Sequence, residues 1–273
     1  MTRTIFKCKT NDAYKFKILA ELLSNNIKTG SFEITDKGIS LCMFDRPRKI
    51  MIDLKLDMDN FSHFKLAVPV LHVGVNLKHL YKILKSTKKK DSLQLFIDRD
   101  RPTELNIRSY PKENTRITTS TLKILNLQHI QCEAPTNYNF PVNINATDFQ
   151  KMCKELISIG SSTIDVESRN GLIYFSSDAD GIISRKVRLG EPNEGGESES
   201  DSDESTCETY SASFATDLVQ RFQKLANLGD TVQVYTNKEL PLLIKTNVGI
   251  LGKIAVYVKS IDLINEDNDA IDS

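Results

Sequence analysis

Apolar and polar positions separate most sharply between residues 74 and 85. Read at 100° per residue, Leu77, Leu80, Ile83 and Leu84 fall on one side of a helix. Lys78, Lys82, Lys85 and Lys89 follow on the other side at i, i+4, i+7 and i+11. Asn76 stands where a side-chain oxygen can take a free helix N–H. Asp91 then opens an alternating strand, with Leu93, Leu95 and Ile97 on one face and Gln94 and Phe96 on the other. Residues 11–25 predict a second amphipathic helix. Its apolar arc is Phe16, Ile18, Leu19, Leu22 and Leu23, with Lys17, Glu21 and Ser24 opposite. Lys28 extends that polar line if the helix runs on, whereas Lys15 projects on the apolar side.

Between these helices the period changes to two. Residues 31–34 and 38–44 flank the turn Asp36-Lys37-Gly38, and 49–58 alternates with Ile50, Ile52, Leu54 and Leu56 on one face. A second hairpin, 93–97 with 103–108, encloses Asp98-Arg99-Asp100-Arg101-Pro102. Residues 116–127 begin as a strand and lose their period. The polar run 128–139, with Pro135, is the best linker candidate and lies near the midpoint.

The second half repeats the order. Residues 147–159 predict a helix opened by a Thr147-x-x-Gln150 capping box. Phe149, Met152, Cys153 and Leu156 turn inward there, and Lys151, Lys154 and Ser158 outward. Residues 162–166 and 171–176 form a hairpin, 181–189 a strand, and 214–227 a fourth helix with Phe214, Leu218, Phe222 and Leu225 inward. Its outward side carries Gln220, Gln223 and Lys224. Strands close the chain at 231–235, 241–246 and 251–259. The expected fold class is α+β with two similar domains, 1–126 and 141–262, joined by a connecting loop 127–140 and followed by an acidic tail 263–273.

A formal net charge of zero hides an uneven distribution. The stretch 190–210 holds eight acids and no base, and 262–273 holds five acids and no base. The remainder has 23 acids against 36 basic residues, a basic body that suits a polyanionic partner. Five scattered cysteines without a CxxC read as free thiols in a reducing compartment. Neither a leader at 1–10 nor a membrane-spanning run is expected.

A lysine row backed by leucines is a solvated face in most proteins. Here all four helices carry lysine outward: Lys17 on the first, Lys82 and Lys85 on the second, Lys151 and Lys154 on the third, Lys224 on the fourth. Phosphates attract lysine without regard to sequence. The rows include no aromatic stripe and no recognition-helix pattern, so a phosphate backbone held without base reading is the expected ligand.

Three blocks resemble the proliferating cell nuclear antigen family of DNA sliding clamps. Residues 74–85 are similar to that family's second helix. Phe149-Gln-Lys-Met-Cys-Lys-Glu-Leu156 with Ser158-Ile-Gly160 is similar to its third. Leu240-Pro-Leu-Leu-Ile244 with Leu251-Gly-Lys-Ile-Ala-Val-Tyr-Val258 is similar to its C-terminal hairpin. The resemblance implies a homotrimeric ring, with helices lining the hole and curved antiparallel sheets outside. Such a ring encircles duplex DNA and serves DNA polymerase, a clamp loader and other proteins of replication and repair that carry a clamp-binding peptide.

By the same resemblance the partner peptide meets Phe44, the linker from about 122 to 138, Pro241 and Tyr257. Lys49 and Lys259 depart from the family pattern. Ring closure would pair 110–121 of one copy with 181–189 of the next, with Arg185, Lys186 and Arg188 set against Glu113. The expected location is the nucleus, or a viral replication site, because the basic body points to a divergent member and a large DNA virus is one source.

Catalysis is not expected, nor is a cofactor or metal. His63, His72, His79 and His129 have no metal spacing, Asp98 and Asp100 sit in a turn, and no P-loop or nucleophile motif occurs. The competing readings are a checkpoint-type heteromeric clamp subunit and a scaffold without a nucleic-acid role.

Overall fold

A computed structural model describes residues 4–112, 116–128, 132–191 and 209–272, with side chains to Asp269. They fall into two compact units. The first is 1–134 together with 227–229 and 247–255, and the second is 135–226, 230–246 and 256–273.

Unit 1 begins with β1 (Thr4–Thr10) and α1 (Ala13–Asn26), followed by β2 (Thr29–Thr35), β3 (Gly38–Phe44) and β4 (Ile50–Asp57). After these come β5 (His63–Leu66), β6 (Val70–Asn76), α2 (Leu77–Leu84), β7 (Ser92–Asp98), β8 (Glu104–Tyr110) and β9 (Thr118–Lys123). One antiparallel sheet runs β5-β1-β7-β8-β9, and a second run is β4-β3-β2-β6. Ile50, Ile52, Leu54 and Leu56 are all buried, as the alternation requires. α1 and α2 pack side by side. The buried arc of α1 is Phe16, Ile18, Leu19, Leu22 and Leu23, and that of α2 is Leu77, Leu80 and Leu84.

Unit 2 holds β10 (Val142–Asn145), α3 (Ala146–Ile157), β11 (Thr163–Arg169), β12 (Leu172–Ala179), β13 (Ile183–Leu189), β14 (Tyr210–Ala215) and α4 (Thr216–Phe222). It continues through a 3-10 turn (Gln223–Asn227), β15 (Thr231–Tyr235), β16 (Leu242–Asn247), β17 (Gly252–Val258) and α5 (Ile261–Asp272). Residues 252–255 of β17 count with unit 1. The sheet β13-β12-β11-β14 is antiparallel, and β10 pairs β15, which pairs β16. α3 and α4 pack together. Phe149, Met152, Cys153 and Leu156 are buried on α3, and Leu218 and Phe222 on α4. Each unit therefore runs strand, helix, strands, helix, strands.

Several expectations change. α1 stops at Asn26, where Ile27 turns extended, so Lys28 does not extend the helical row. Ser24 is buried and donates to the Glu21 carbonyl, so it does not belong to the polar side. α2 ends at Leu84, and Lys89 lies beyond it in the turn that Asp91 closes by accepting from the Lys88 N–H at 2.8 Å. The cap of α3 is Asn145, which accepts from Thr147 N–H at 2.8 Å, and Thr147 lies inside the helix. Phe214 belongs to β14, so the expected fourth helix is only Thr216–Phe222 plus the 3-10 turn, which carries Lys224. The stretch read as an acidic tail lies in α5. Glu113, His129 and the acids and serines of 192–208 lie outside the described residues.

Gly38 closes the β2–β3 turn at φ +139°, and a Cβ there would stand 2.0 Å from the Leu56 carbonyl oxygen. Gly181 has φ +72° but open space around the position of its Cβ. Gly38→Ala should lower unfolding free energy by more than the roughly 1–2 kcal/mol of a left-handed alanine, and Gly181→Ala by no more than about that. Urea unfolding of both variants checks this, and equal losses would contradict the close approach at Gly38.

Candidate nucleic-acid interface

The candidate lysines are set by the buried arcs beneath them. Once Leu77, Leu80 and Leu84 are seated, Lys78, Lys82 and Lys85 have only solvent to enter, and all three are exposed. Asn76 fixes where α2 starts by accepting from His79 N–H at 3.0 Å. On α1, Lys17 is half-buried and its ammonium lies 5.3 Å from the centre of the Tyr14 ring. Lys89 reaches the same ring at 5.9 Å. Tyr14 thus holds an ammonium group of α1 near one from the turn after α2, a link that periodicity does not reveal.

Glu21 on this side is tied across to α2. The Tyr81 hydroxyl of α2 hydrogen-bonds to it. The Tyr81 phenol is held above its ordinary pKa, chiefly by burial and then by the Glu21 charge. Lys15 is occupied elsewhere, donating to the Asn227 carbonyl at 2.9 Å within unit 1.

In unit 2, Lys151 and Lys154 are exposed on α3. Lys151 stands 3.6 Å from Asp148, a surface pair of little energetic weight that leaves its charge available. Lys224 sits on the turn after α4, and Arg221, which sequence reading passed over, lies in the last turn of α4 with Asp217 at 3.0 Å. Lys17, Lys82 and Lys85 are thus brought onto one helix pair, and Lys151, Lys154 and Lys224 onto the other helix pair with its 3-10 extension.

The residues expected to meet a partner peptide are distributed as follows. Phe44, the last residue of β3 in unit 1, is 38% exposed. In unit 2, the linker residue Tyr138 donates its hydroxyl to the Pro241 carbonyl at 2.8 Å. Its ring stands 6.2 Å from both Tyr235 and Tyr257. Tyr257 is buried and Tyr138 half-buried beside it, so the aromatic surface offered there includes Tyr138. Lys259 is held by Asp267 of α5, which answers the charge that departs from the family pattern. Earlier in the linker, the Cys132 thiol donates to the Cys42 carbonyl at 3.5 Å. Burial first, then the nearby Cys132 and Asp53, push the Cys42 thiol up to about 12.

The edge strands include β9 in the five-stranded sheet and β13 in the four-stranded one. Ile117 beside β9 and Ile182 and Ile183 at β13 are exposed. Arg185 and Lys186 pair with Glu155 at 3.4 Å and Glu167 at 2.6 Å, so part of the expected register charge is used within the unit.

Two α+β units of one plan, each with a helix pair that is apolar beneath and basic above, define a duplicated clamp-type chain. The family model for the N-terminal domain of proliferating cell nuclear antigen matches residues 5–133, and the one for its C-terminal domain matches 134–261. The chain belongs to the proliferating cell nuclear antigen family. It is 24% identical over 260 residues to proliferating cell nuclear antigen of Chaetomium thermophilum, covering 93% of this chain and 97% of that one. It is 22% identical over 266 residues to a probable DNA polymerase sliding clamp of Paramecium bursaria Chlorella virus 1, covering 94% and 97%. It is 26% identical over 253 residues to a DNA polymerase sliding clamp of Thermococcus gammatolerans, covering 91% and 95%.

Because Asn145 rather than Thr147 caps α3, Asn145→Ala should cost about 1 kcal/mol and Thr147→Ala clearly less. Chemical denaturation of the two variants measures this. A larger loss from Thr147→Ala would contradict the cap.

Proposed function

We infer that this protein is a DNA sliding clamp, a processivity factor for DNA polymerase, and that it acts by holding duplex DNA rather than by catalysis. The observation that carries the reading is the basic outer side of the helix pair in each of two units of one family plan. Lys17, Lys82, Lys85, Lys151, Lys154 and Lys224 are the proposed phosphate contacts. Long ammonium side chains attract the backbone without reading bases, which suits a protein that must move along DNA.

Three copies are proposed to close a ring by pairing β9 of one with β13 of the next, because edge strands with exposed isoleucines call for a partner. Phe44, Pro241 and Tyr257, with Tyr138, are the proposed contacts for the peptide of a polymerase, clamp loader or repair protein. The domain limits 1–126 and 141–262 with the connecting loop 127–140, and residence in the nucleus or at a viral replication site, belong to the same reading.

Charge reversal of Lys82, Lys85, Lys151 and Lys154 together should cut stimulation of polymerase about tenfold near 0.15 M salt and leave the assembled mass at three chains. Stimulation equal to the wild type would overturn the lysine assignment, and a monomeric mass of the unaltered protein by light scattering would overturn the ring. Phe44→Ala and Pro241→Ala should each weaken a polymerase-derived peptide several-fold in a calorimetric titration. Unchanged affinity in both would remove the peptide contacts while leaving the DNA reading intact.

A further inference from the structure

The five-stranded sheet of unit 1 has a second face that no helix arc explains. Phe6, Cys8, Leu93, Leu95, Ile97, Leu105, Ile107 and Leu122 turn into the core. The alternate residues turn away, and their register is explicit. Lys7 stands opposite Lys65 and Phe96, and Lys9 opposite His63 and Gln94. Gln94 is opposite Arg108, Phe96 opposite Asn106, Arg108 opposite Thr119, and Glu104 opposite Lys123. Lys7, Lys9, Lys65, Arg108 and Lys123 therefore share one face of five strands whose only acids are Asp98 and Glu104. Both acids lie at the β7–β8 turn end, and Glu104 is within 3.5 Å of Arg101.

This arrangement costs stability. Like charges directly opposite on neighbouring strands repel, and Lys7 faces Lys65 across β1 and β5. Among the described residues none of Lys7, Lys9, Lys65 and Lys123 makes an ion pair. Two aromatic rings lie among the cations. The Arg108 guanidinium stands 5.0 Å from the centre of the Phe96 ring, and the Lys9 ammonium 5.0 Å from that of Tyr110. Tyr110 is oriented by its hydroxyl, which donates to Gln94 at 3.3 Å, and Arg108 by its Nε, which donates to Thr119 at 3.0 Å. The rings and the guanidinium plane are thus held among positive charges on one sheet face.

We propose that this face of the β5-β1-β7-β8-β9 sheet is a second nucleic-acid site, which binds a single strand and is separate from the helix lysines. Lys7, Lys9 and Lys65 take phosphates, and the Arg108–Phe96 pair and Tyr110 offer planes on which bases stack. A duplex fits this face poorly, because its bases are already stacked and the rings would go unused. An acidic polypeptide would satisfy the charges and likewise leave the planes idle. A single strand uses both, and its flexible backbone can adjust to the roughly 7 Å between alternate residues of β1.

The test uses the full-length protein and a fluorescent 20-nucleotide thymidine strand, read by anisotropy across a salt series. Lys7→Glu, Lys9→Glu and Lys65→Glu combined should weaken binding at least tenfold and lower the salt slope by about 2, at roughly 0.7 per lost contact. Phe96→Leu with Tyr110→Leu, which keeps every charge, should weaken the strand several-fold and leave an equal-length polyglutamate unaffected. Lys82→Glu with Lys85→Glu should leave the strand bound, which separates this site from the duplex reading above. Ultraviolet cross-linking of a bromouridine strand to the unaltered protein should map to Phe96 or Tyr110, a readout that does not depend on any variant folding. The proposal is overturned by unchanged binding in the triple variant, by equal losses for strand and polyglutamate in the ring variant, by loss of the strand in the helix variant alone, or by cross-links confined to the helices.

Discussion

Leu77, Leu80 and Leu84 are each exposed by 3% or less, and burying that row leaves α2 a single rotational setting. Each such side chain contributes about 1.5–3 kcal/mol when fully buried, far more than any one surface ion pair at about 0–1 kcal/mol. The direction of the lysines is therefore decided by the leucines. The same holds on α3, where Phe149, Met152, Cys153 and Leu156 fix the sector in which Lys151 and Lys154 emerge. A clamp surface needs cations that are numerous, mobile and rigidly based, and an amphipathic helix on a sheet supplies all three. The short pairs Lys151–Asp148 and Arg221–Asp217 adjust the field without setting the geometry.

The two helix pairs differ in how they achieve this. In unit 1, Tyr14 draws Lys17 and Lys89 together and the Tyr81 hydroxyl engages Glu21, so the basic side is tied across α1 and α2. In unit 2, the second helix is only Thr216–Phe222, and its last basic residue sits on a 3-10 turn. The duplication is one of plan, with local chemistry free to diverge. Low identity to the relatives, 22–26% over nearly the whole chain, is what such divergence leaves.

Much of this was legible in the chain because helix and strand periods were clean where one face is buried. The α3 arc survives intact, the α2 arc does so except at Ile83, which is only half-buried, and β4 keeps its buried face although Met51 on the other face is buried as well. What was missed has physical causes. β6 carries Gly74, which closely approaches the Leu125 backbone and interrupts the alternation. Phe214 fits an i+4 series with Leu218 and Phe222, so a strand residue reads as helix. α5 is dense in acids and resembles a tail, although Lys259 and the Ser260 cap anchor it. Asn145 and Thr147 both suit a cap, and only backbone geometry separates them. Of the candidate site, the lysines were legible, whereas Tyr14, Tyr81 and Tyr138 act through contacts distant in sequence.

The central claim is that duplex DNA is held by enclosure, with lysines facing it, and not by a tight local grip. Its most direct test is the lifetime of the protein on a linear duplex whose ends are blocked after loading, compared with the same duplex left open. The account predicts much longer retention on the blocked duplex near physiological salt, because a closed clamp leaves by sliding off an end. Equal lifetimes on both would contradict it.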